Sequence, residues 1–183
     1  MDSKATRRLA ILVGPSSLAL SLPMEPNLSS RKYVDPISHD GIRDSLTQLA
    51  SPKFFYESLA RECARSDREL TPLTAVRFHL KLENENRNQS LRFSDYEIAV
   101  INFSKVLNSH SRKSDLSARM ARFEFISLLE CTQPDTAIFI NRVIESYRYE
   151  GFIAIASSIL RRAQEKPLPL LNRLDRAPEI NYY

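Results

Sequence analysis

The chain has 183 residues, a formal net charge of +4 and an ordinary globular composition, with 43% hydrophobic and 26% charged residues. Its three glycines stand far apart, which excludes a phosphate-binding P-loop and a dinucleotide fingerprint, since both need clustered glycines. Two widely separated cysteines exclude a disulfide framework and a cysteine-rich zinc site, and they favour a reducing, cytoplasmic compartment. One domain with flanking ends is expected for this length.

Residues 1–32 differ in composition from the rest and are predicted to form a flexible or partner-docking arm. Arg7 and Arg8 precede the apolar run 9–13, which is the order of parts in a signal peptide. Because Pro15 interrupts the apolar stretch and no small-residue cleavage site follows, an arm is preferred to a signal or an anchor. The run is also too short to span a bilayer, so no membrane insertion is expected.

A globular domain is predicted over residues 33–177, followed by a tail at 178–183. Its first helix is expected over about 52–67. Ser51 is a suitable N-cap, Pro52 suits the first turn, and apolar residues recur at every fourth position.

Alternating apolar and polar residues predict a strand over Leu73–Leu82. A polar loop at 84–90 separates this strand from a second helix, which is expected over about 94–108 with Ser94 as its N-cap. The wide apolar face of this helix indicates that it is well buried.

A hairpin follows, with Leu116–Arg119 as its first arm, 120–123 as its turn and Glu124–Leu129 as its second arm. The second arm is almost continuously apolar, as expected of a strand that is covered on both faces. Polar and basic residues collect at the turn and just before the first arm. A charged tip on a buried support is a common way to present chemistry.

A third helix is predicted after a proline turn at 132–135, with Gly151 as its C-terminal glycine. Phe152–Ala156 is expected to be a short strand, and 168–177 a last helix that ends at Pro178. The order is helix, strand, helix, two strands, helix, strand and helix. It predicts an α+β fold in which helices pack on one sheet.

Three landmarks of the sequence are similar to those of one known family. Asp44–Leu49 (DSLTQL) is similar to an opening D-x-L-T-G-L, Arg119–Phe125 (RMARFEF) stands in the place of R-L-G-G-D-E-F, and Leu170–Ala177 (LLNRLDRA) is similar to L-L-x-x-A-D-x-A. Over about residues 35–177 the chain thus resembles a GGDEF domain, the fold of diguanylate cyclases. The resemblance implies a nucleotidyl-cyclase-like central sheet flanked by helices.

The departures from the family pattern predict that the chain is not a cyclase. In the family, two hairpin glycines let a guanine nucleotide lie against the backbone, and the acidic residue after them is a metal ligand or a catalytic carboxylate. Here Ala121, Arg122 and Phe123 take these places, and only Glu124 survives. Because Mg²⁺ ions that clamp a triphosphate need hard oxygen ligands, no metal, cofactor or cyclase activity is expected.

One family feature is retained, an R-x-x-D motif five residues before the signature, here Arg112 to Asp115. The resemblance implies a site for cyclic di-GMP. Arg112 would give bidentate contacts to a phosphate or a guanine edge, and Asp115 would accept hydrogen bonds from guanine N1 and N2. Lys113 and Arg119 would add positive charge.

The motif has a second copy, Arg92 to Asp95, which is interpreted as a loop and helix cap. A simple surface ion pair, worth about 0–1 kcal/mol, therefore remains the alternative for Arg112 and Asp115. Only the position relative to the hairpin favours the first copy as a ligand site.

The leading hypothesis is a non-catalytic cyclic di-GMP receptor that signals to an unidentified partner protein, with a ligand-linked homodimer as a further expectation. The alternative is a nucleotide-independent interaction or dimerisation scaffold, with the N-terminal segment and Pro167–Leu171 as docking strips. A third hypothesis is a residual enzyme with Glu124, His79 and Lys81 in a remodelled pocket. Nucleic-acid binding is not expected, because the chain lacks a basic run interleaved with aromatic residues.

Overall fold

The computed structural model describes residues 40–83 and 92–180, which belong to one compact unit, Val34–Tyr183. The predicted N-terminal arm and polar loop lie outside the described residues. The described part holds four helices and four strands: α1 (Pro52–Glu69), β1 (Thr74–Leu82), α2 (Phe93–His110), β2 (Leu116–Ala121), β3 (Glu124–Leu129), α3 (Gln133–Ser146), β4 (Phe152–Leu160) and α4 (Pro167–Asp175).

The strands form one antiparallel sheet in the order β2-β3-β1-β4. The central strand β1 pairs with β3 from Thr74 opposite Leu129 to His79 opposite Glu124, and it pairs with β4 along its whole length. The β2–β3 hairpin contains an irregularity near its tip, where the register shifts between Arg119 and Ala121. The predicted α+β fold with one helix-covered sheet is confirmed.

The two faces of the sheet are covered by different helices, because side chains alternate along each strand. Val76, Phe78 and Leu80 of β1 are buried with the apolar faces of α2 and α3. Ala75, on the opposite face, is buried with side chains of α1 and α4. Both faces of β3 are also covered, as predicted from its continuous apolar run, since Phe125 to Leu129 are all buried.

Both outer strands of the sheet have a neighbouring segment on their free edge. Ala50 donates its N–H to the Ser117 carbonyl at 3.0 Å and accepts the Arg119 N–H at 3.2 Å, which covers part of β2. Ile180 donates its N–H to the Ala156 carbonyl at 2.7 Å beside β4. Such cover reduces the tendency of exposed edge strands to pair with other chains.

The helix starts were predicted with mixed success. Ser51 caps α1 as expected, since its Oγ accepts the Phe54 N–H at 3.2 Å. The predicted N-cap Ser94 of α2 is wrong, because the helix already begins at Phe93 with Arg92 as its N-cap. The Asp95 carboxylate accepts the Arg92 N–H at 2.8 Å, so the first turn of α2 begins at Arg92 and not at the predicted Ser94.

Three boundaries in the second half also differ from the prediction. Helix α3 already starts at Gln133, inside the predicted turn, and it ends at Ser146. Gly151 therefore does not cap it but lies in the turn before β4 with φ +85°, a backbone angle that favours glycine. Strand β4 continues to Leu160, beyond the predicted short strand. None of the described helices combines the length and the apolar character needed to cross a bilayer.

A buried ion pair connects the segment before α1 to the hairpin. Arg119 Nη1 lies 3.5 Å from Asp44 Oδ2, and the two side chains are 2% and 0% exposed. Asp44 Oδ1 also accepts hydrogen bonds from the N–H and Oγ1 of Thr47 at 2.8 and 2.6 Å. Arg119 Nη2 donates to the Arg122 carbonyl at 3.1 Å. The ion pair thus connects two parts of the chain: Asp44 belongs to the turn that it forms with Thr47, and Arg119 contacts the hairpin tip at Arg122.

Removing only one member of this pair should destabilise the fold strongly. We expect Asp44→Ala to lower the free energy of unfolding by about 3–5 kcal/mol, because Arg119 would remain buried without its carboxylate. Urea denaturation of the full chain measures the difference. The double variant Asp44→Leu with Arg119→Met should be more stable than Asp44→Ala alone, and equal stability of the two variants would contradict a paired role.

Candidate functional site

The Arg112–Asp115 segment forms a tight turn between α2 and β2. Ser111 ends the helix with its N–H and Oγ both donating to the Leu107 carbonyl, at 3.1 and 2.8 Å. Asp115 then donates its N–H to the Arg112 carbonyl at 3.0 Å, and its Oδ2 accepts the Arg112 N–H at 2.7 Å. The aspartate therefore fixes the backbone of the turn before any ligand is considered.

The side chains of the turn differ in their exposure. Arg112 and Lys113 are exposed, whereas Asp115 is half-buried. Burial is the largest influence on Asp115 and raises the pKa of its carboxyl above the ordinary 3.8, while the hydrogen bond and charge of Arg112 act against this rise. A partly desolvated carboxylate makes stronger electrostatic contacts with ligand donors than a fully hydrated one.

The second copy of the motif has nearly the same local geometry. Asp95 Oδ2 accepts the Arg92 N–H at 2.8 Å, as Asp115 does with Arg112. Asp95 Oδ1 lies 3.8 Å from Arg92 Nη2, and this turn opens helix α2. The predicted role of this copy as a helix cap is confirmed. Local geometry alone therefore does not distinguish a ligand site from a cap.

The surroundings of the Arg112–Asp115 turn are open, because three surface cavities meet at Asp115. A cavity of about 160 Å³ lies between Asp115, the end of α2 and α3. A second cavity of about 260 Å³ lies between the turn and the segment before α1, and a third of about 250 Å³ lies beside α1 and β3. Arg112 lines the first and second cavities, and Lys113 lines the third.

Several charged side chains that line these cavities are not among the site residues predicted from the sequence. They come from four different parts of the chain: Arg43, Arg61, Arg65, His110, Asp135 and Arg142. Each stands on the polar side of a helix or turn, where charged residues are usual, so its position in the sequence carries no signal. Only the packing of the elements brings these residues to the Arg112–Asp115 turn.

The prediction that Arg119 adds charge to the ligand site is wrong. Its side chain is 2% exposed and pairs with Asp44 inside the protein. Arg119 lies on β2, and the segment before α1 pairs with the edge of this strand through a bridge between Ala50 and Ala118. Arg112, Lys113 and Asp115 remain the predicted site residues, and all three lie on the surface turn.

The tip of the hairpin is occupied by Arg122. Its guanidinium lies 4.9 Å from the ring centre of Tyr96, 5.1 Å from that of Phe123 and 5.7 Å from that of Phe93. Distances of this size are typical of cation–π contacts. A long side chain that lies over aromatic rings therefore stands where the family pattern has a glycine.

Phe123 packs inward beside Arg122. Its ring centre lies 5.8 Å from Tyr96 and 6.0 Å from Phe152, and these two rings are 5.5 Å apart. The Phe123 carbonyl accepts the Leu80 N–H at 2.9 Å. The space enclosed by Tyr96, Arg122 and neighbouring described residues holds no void of water size. The tip is therefore packed against the core.

The residues of the residual-enzyme hypothesis lie on the neighbouring strands. His79 stands opposite Glu124 in the β1–β3 register, and Lys81 Nζ lies 2.7 Å from Glu179. Burial, followed by the charge of Lys81, lowers the pKa of His79 below its ordinary value. Across residues 40–83 and 92–180, no group of three or more His, Cys, Asp or Glu side chains is arranged to hold a metal ion.

Comparison with protein families gives one match. The family model described as "Diguanylate cyclase, GGDEF domain" matches residues 41–150, which includes the turn, the hairpin and the buried ion pair. A search of curated proteins found no match.

Solved structures of GGDEF domains share the fold. The GGDEF domain of DgcB from Caulobacter crescentus, in complex with cyclic di-GMP, has 16% identity and a TM-score of 0.67, over 76% of this chain and 89% of that one. Diguanylate cyclase SiaD from Pseudomonas aeruginosa, in complex with its activator SiaC, has 21% identity and a TM-score of 0.66, over 74% and 55%. The GGDEF domain of FimX from Pseudomonas aeruginosa has 14% identity and a TM-score of 0.63, over 74% and 90%.

The packing of the tip predicts that Phe123 contributes to stability. We expect Phe123→Ala to lower the free energy of unfolding by about 2 kcal/mol, somewhat less than full burial would give, because the ring is only half-buried. Arg122→Ala is the matched control and should cost about 0.5–1 kcal/mol, the range of an exposed cation–π contact. Chemical denaturation compares both variants, and an unchanged stability of Phe123→Ala would contradict a packed tip.

Proposed function

The chain belongs to the GGDEF domain family, and we propose that it is a cyclic di-GMP receptor without diguanylate cyclase activity. The observation that carries the proposal is the placement of Asp115. It is half-buried, and it stands at the meeting point of three cavities, two of which it shares with the exposed Arg112. A cytoplasmic setting belongs to the proposal, and the free thiols of Cys63 and Cys131 fit it.

The turn carries the groups that a guanine nucleotide needs. Asp115 Oδ2 already accepts the Arg112 N–H, and the remaining acceptor capacity of the carboxylate is available for the N1 and N2 donors of guanine. The Arg112 guanidinium offers planar, paired donors for a phosphate or for the O6 and N7 edge. Lys113 adds charge beside the third cavity.

The sizes of the cavities suggest how a dinucleotide would be held. Pockets that enclose a whole drug-sized ligand measure about 300–1,000 Å³, whereas these cavities measure about 160, 260 and 250 Å³. Each is therefore suited to one part of the ligand, such as a base or a phosphate. The ligand would straddle the turn and insert separate parts on its different sides.

Loss of cyclase activity is proposed from the composition and packing of the tip. A nucleotide that lies against the hairpin backbone would collide with Arg122 and with the ring of Phe123, which fills the space beside Tyr96 and Phe152. Glu124 is the sole remaining carboxylate of the signature, and two Mg²⁺ ions on a triphosphate need more oxygen ligands than it can supply.

Signalling to a partner protein completes the proposal. A surface-bound ligand leaves part of its own surface exposed, so a second protein or a second copy of this chain can complete the site. An intercalated nucleotide dimer would present guanine pairs to two protein surfaces, which would link ligand binding to homodimer formation.

A second candidate function is a nucleotide-independent interaction scaffold. One observation favours it: Leu168, in the Pro167–Leu171 stretch of α4, is 68% exposed. An exposed leucine beside two prolines is a suitable contact for a partner. A single exposed apolar side chain is common on protein surfaces, however, so this observation supports the scaffold less than the cavities support the receptor.

Calorimetric titration with cyclic di-GMP tests the receptor. We expect the full chain to bind and the double variant Arg112→Ala with Asp115→Ala to lose binding, because the charged recognition groups of the turn are removed together. The matched control is Arg92→Ala with Asp95→Ala, which removes the same side-chain-to-backbone bond from the second copy of the motif. That variant should bind as the unmodified chain does, provided it remains folded.

Two outcomes of these measurements would contradict the proposal. No heat and no thermal shift with cyclic di-GMP would favour the scaffold, and undiminished binding by the Arg112 and Asp115 double variant would place the site elsewhere. Turnover in a parallel incubation with GTP and Mg²⁺ would contradict the absence of cyclase activity.

The affinity should also depend on pH through Asp115. Burial raises the pKa of this carboxyl, and only the ionised form can accept both guanine donors. We therefore expect binding to be strong at neutral pH and to weaken as the solution becomes acidic, with the loss starting above the pH range usual for an aspartate. Titrations across this range measure the effect, and Asp115→Asn should show weaker binding with a flatter profile. A pH-independent affinity of the unmodified chain would count against recognition by Asp115.

A further inference from the structure

We propose that Arg43 is a second anion-binding side chain of the candidate site, which takes a phosphate of the ligand in the cavity of about 260 Å³. This inference rests on the proposed receptor function and extends it to a residue outside the R-x-x-D motif. Arg43 and Arg112 line this cavity together with Asp115, and Phe54 and Leu116 supply part of its apolar lining. Most of the lining is polar or charged, which suits a charged, hydrogen-bonding ligand such as a phosphate.

The backbone of Arg43 is held firmly in place. Asp40 Oδ1 accepts the Arg43 N–H at 2.7 Å, and the neighbouring Ile42 carbonyl accepts the Ser51 N–H at 2.8 Å. The next residue, Asp44, is fully buried. Arg43 thus projects an exposed guanidinium from a fixed base, and only its side chain has to move when a ligand arrives. A preorganised base lowers the entropic cost of binding.

The partner that Arg43 now holds is one that a phosphate can replace. Arg43 Nη1 donates to the Gln48 carbonyl at 2.7 Å in an exposed setting. A phosphate carries charge and several acceptor oxygens, so it makes shorter and stronger bonds with guanidinium than a neutral carbonyl does. The exchange would therefore favour the ligand-bound state.

Gln48 gives this exchange a structural consequence. Its φ is +60°, in the left-handed region that favours glycine, and the family's D-x-L-T-G-L pattern has glycine at this place. The bond from Arg43 helps to hold Gln48 in this costly conformation. When Arg43 turns to a phosphate, the Gln48 carbonyl loses that support, and the turn before α1 becomes freer to relax.

Calorimetry with cyclic di-GMP on the full chain tests the role of Arg43. We expect Arg43→Ala to raise the Kd at least about tenfold, the size of effect expected when one hydrogen bond to a charged group is lost. The dependence of the Kd on salt should also become shallower, because one charge contact is removed. Arg68→Ala is the matched control, since Arg68 is an exposed arginine of α1 that pairs with its neighbour Glu69, and it should leave the Kd unchanged.

A second variant separates ligand contact from support of the turn. Gln48→Gly relieves the positive φ and should raise the melting temperature without weakening binding. If Arg43 contacts the ligand, the loss of affinity persists in the double variant Arg43→Ala with Gln48→Gly. Recovery of affinity in that double variant would overturn the proposal, because Arg43 would then act only by supporting the turn.

The remaining outcomes distinguish this inference from the proposed function. Unchanged binding by Arg43→Ala, with binding lost in the Arg112 and Asp115 double variant, overturns the role of Arg43 and leaves the receptor standing. No binding by the unmodified chain overturns both. If circular dichroism shows that Arg43→Ala does not fold, Arg43→Gln decides by the same criteria, since it keeps hydrogen-bond donors but removes the charge.

Discussion

The buried pair of Asp44 and Arg119 is the contact on which the arrangement of the surface depends. Two opposite charges with 0% and 2% exposure are stable inside a protein only together. The pair fixes where the segment before α1 meets β2, and Ala50 adds two backbone hydrogen bonds to the same strand. That junction forms one wall of the largest cavity beside the Arg112–Asp115 turn. An interior contact therefore shapes the exterior site.

The two ends of strand β2 differ in how tightly the side chains beside them pack. At the tip, Arg122 lies over the Tyr96 ring, and Phe123 packs beside Tyr96 and Phe152. The gap between Arg122, Tyr96 and Arg119 is too small for a water molecule. At the approach to β2, Asp115 adjoins open cavities. The two ends are linked through Arg119, which reaches from β2 to the Arg122 carbonyl. A filled tip is thus compatible with an open site a few residues away.

Much of the fold could be predicted because its signals are local. Ser51 capped α1 as expected, and the apolar run of β3 correctly indicated burial on both faces. The errors arose where tertiary packing decides. Arg119 has the charge of a surface residue, and nothing in its neighbourhood along the chain reveals a buried carboxylate 75 positions earlier. The cavity-lining Arg142 was missed for the same reason, since helix packing alone places it near the turn.

The two R-x-x-D turns have a consequence for how such motifs are used in genome searches. In both, the aspartate closes the turn through the backbone of the arginine, at 2.7 and 2.8 Å. The aspartate therefore has a local structural role in both copies, and the motif can occur in a sequence for reasons unrelated to a nucleotide. A search of sequences for the R-x-x-D pattern alone counts both copies equally. Three cavities adjoin Asp115, and this information is absent from the letters of the motif, so the packing around a motif is a useful addition to its sequence pattern.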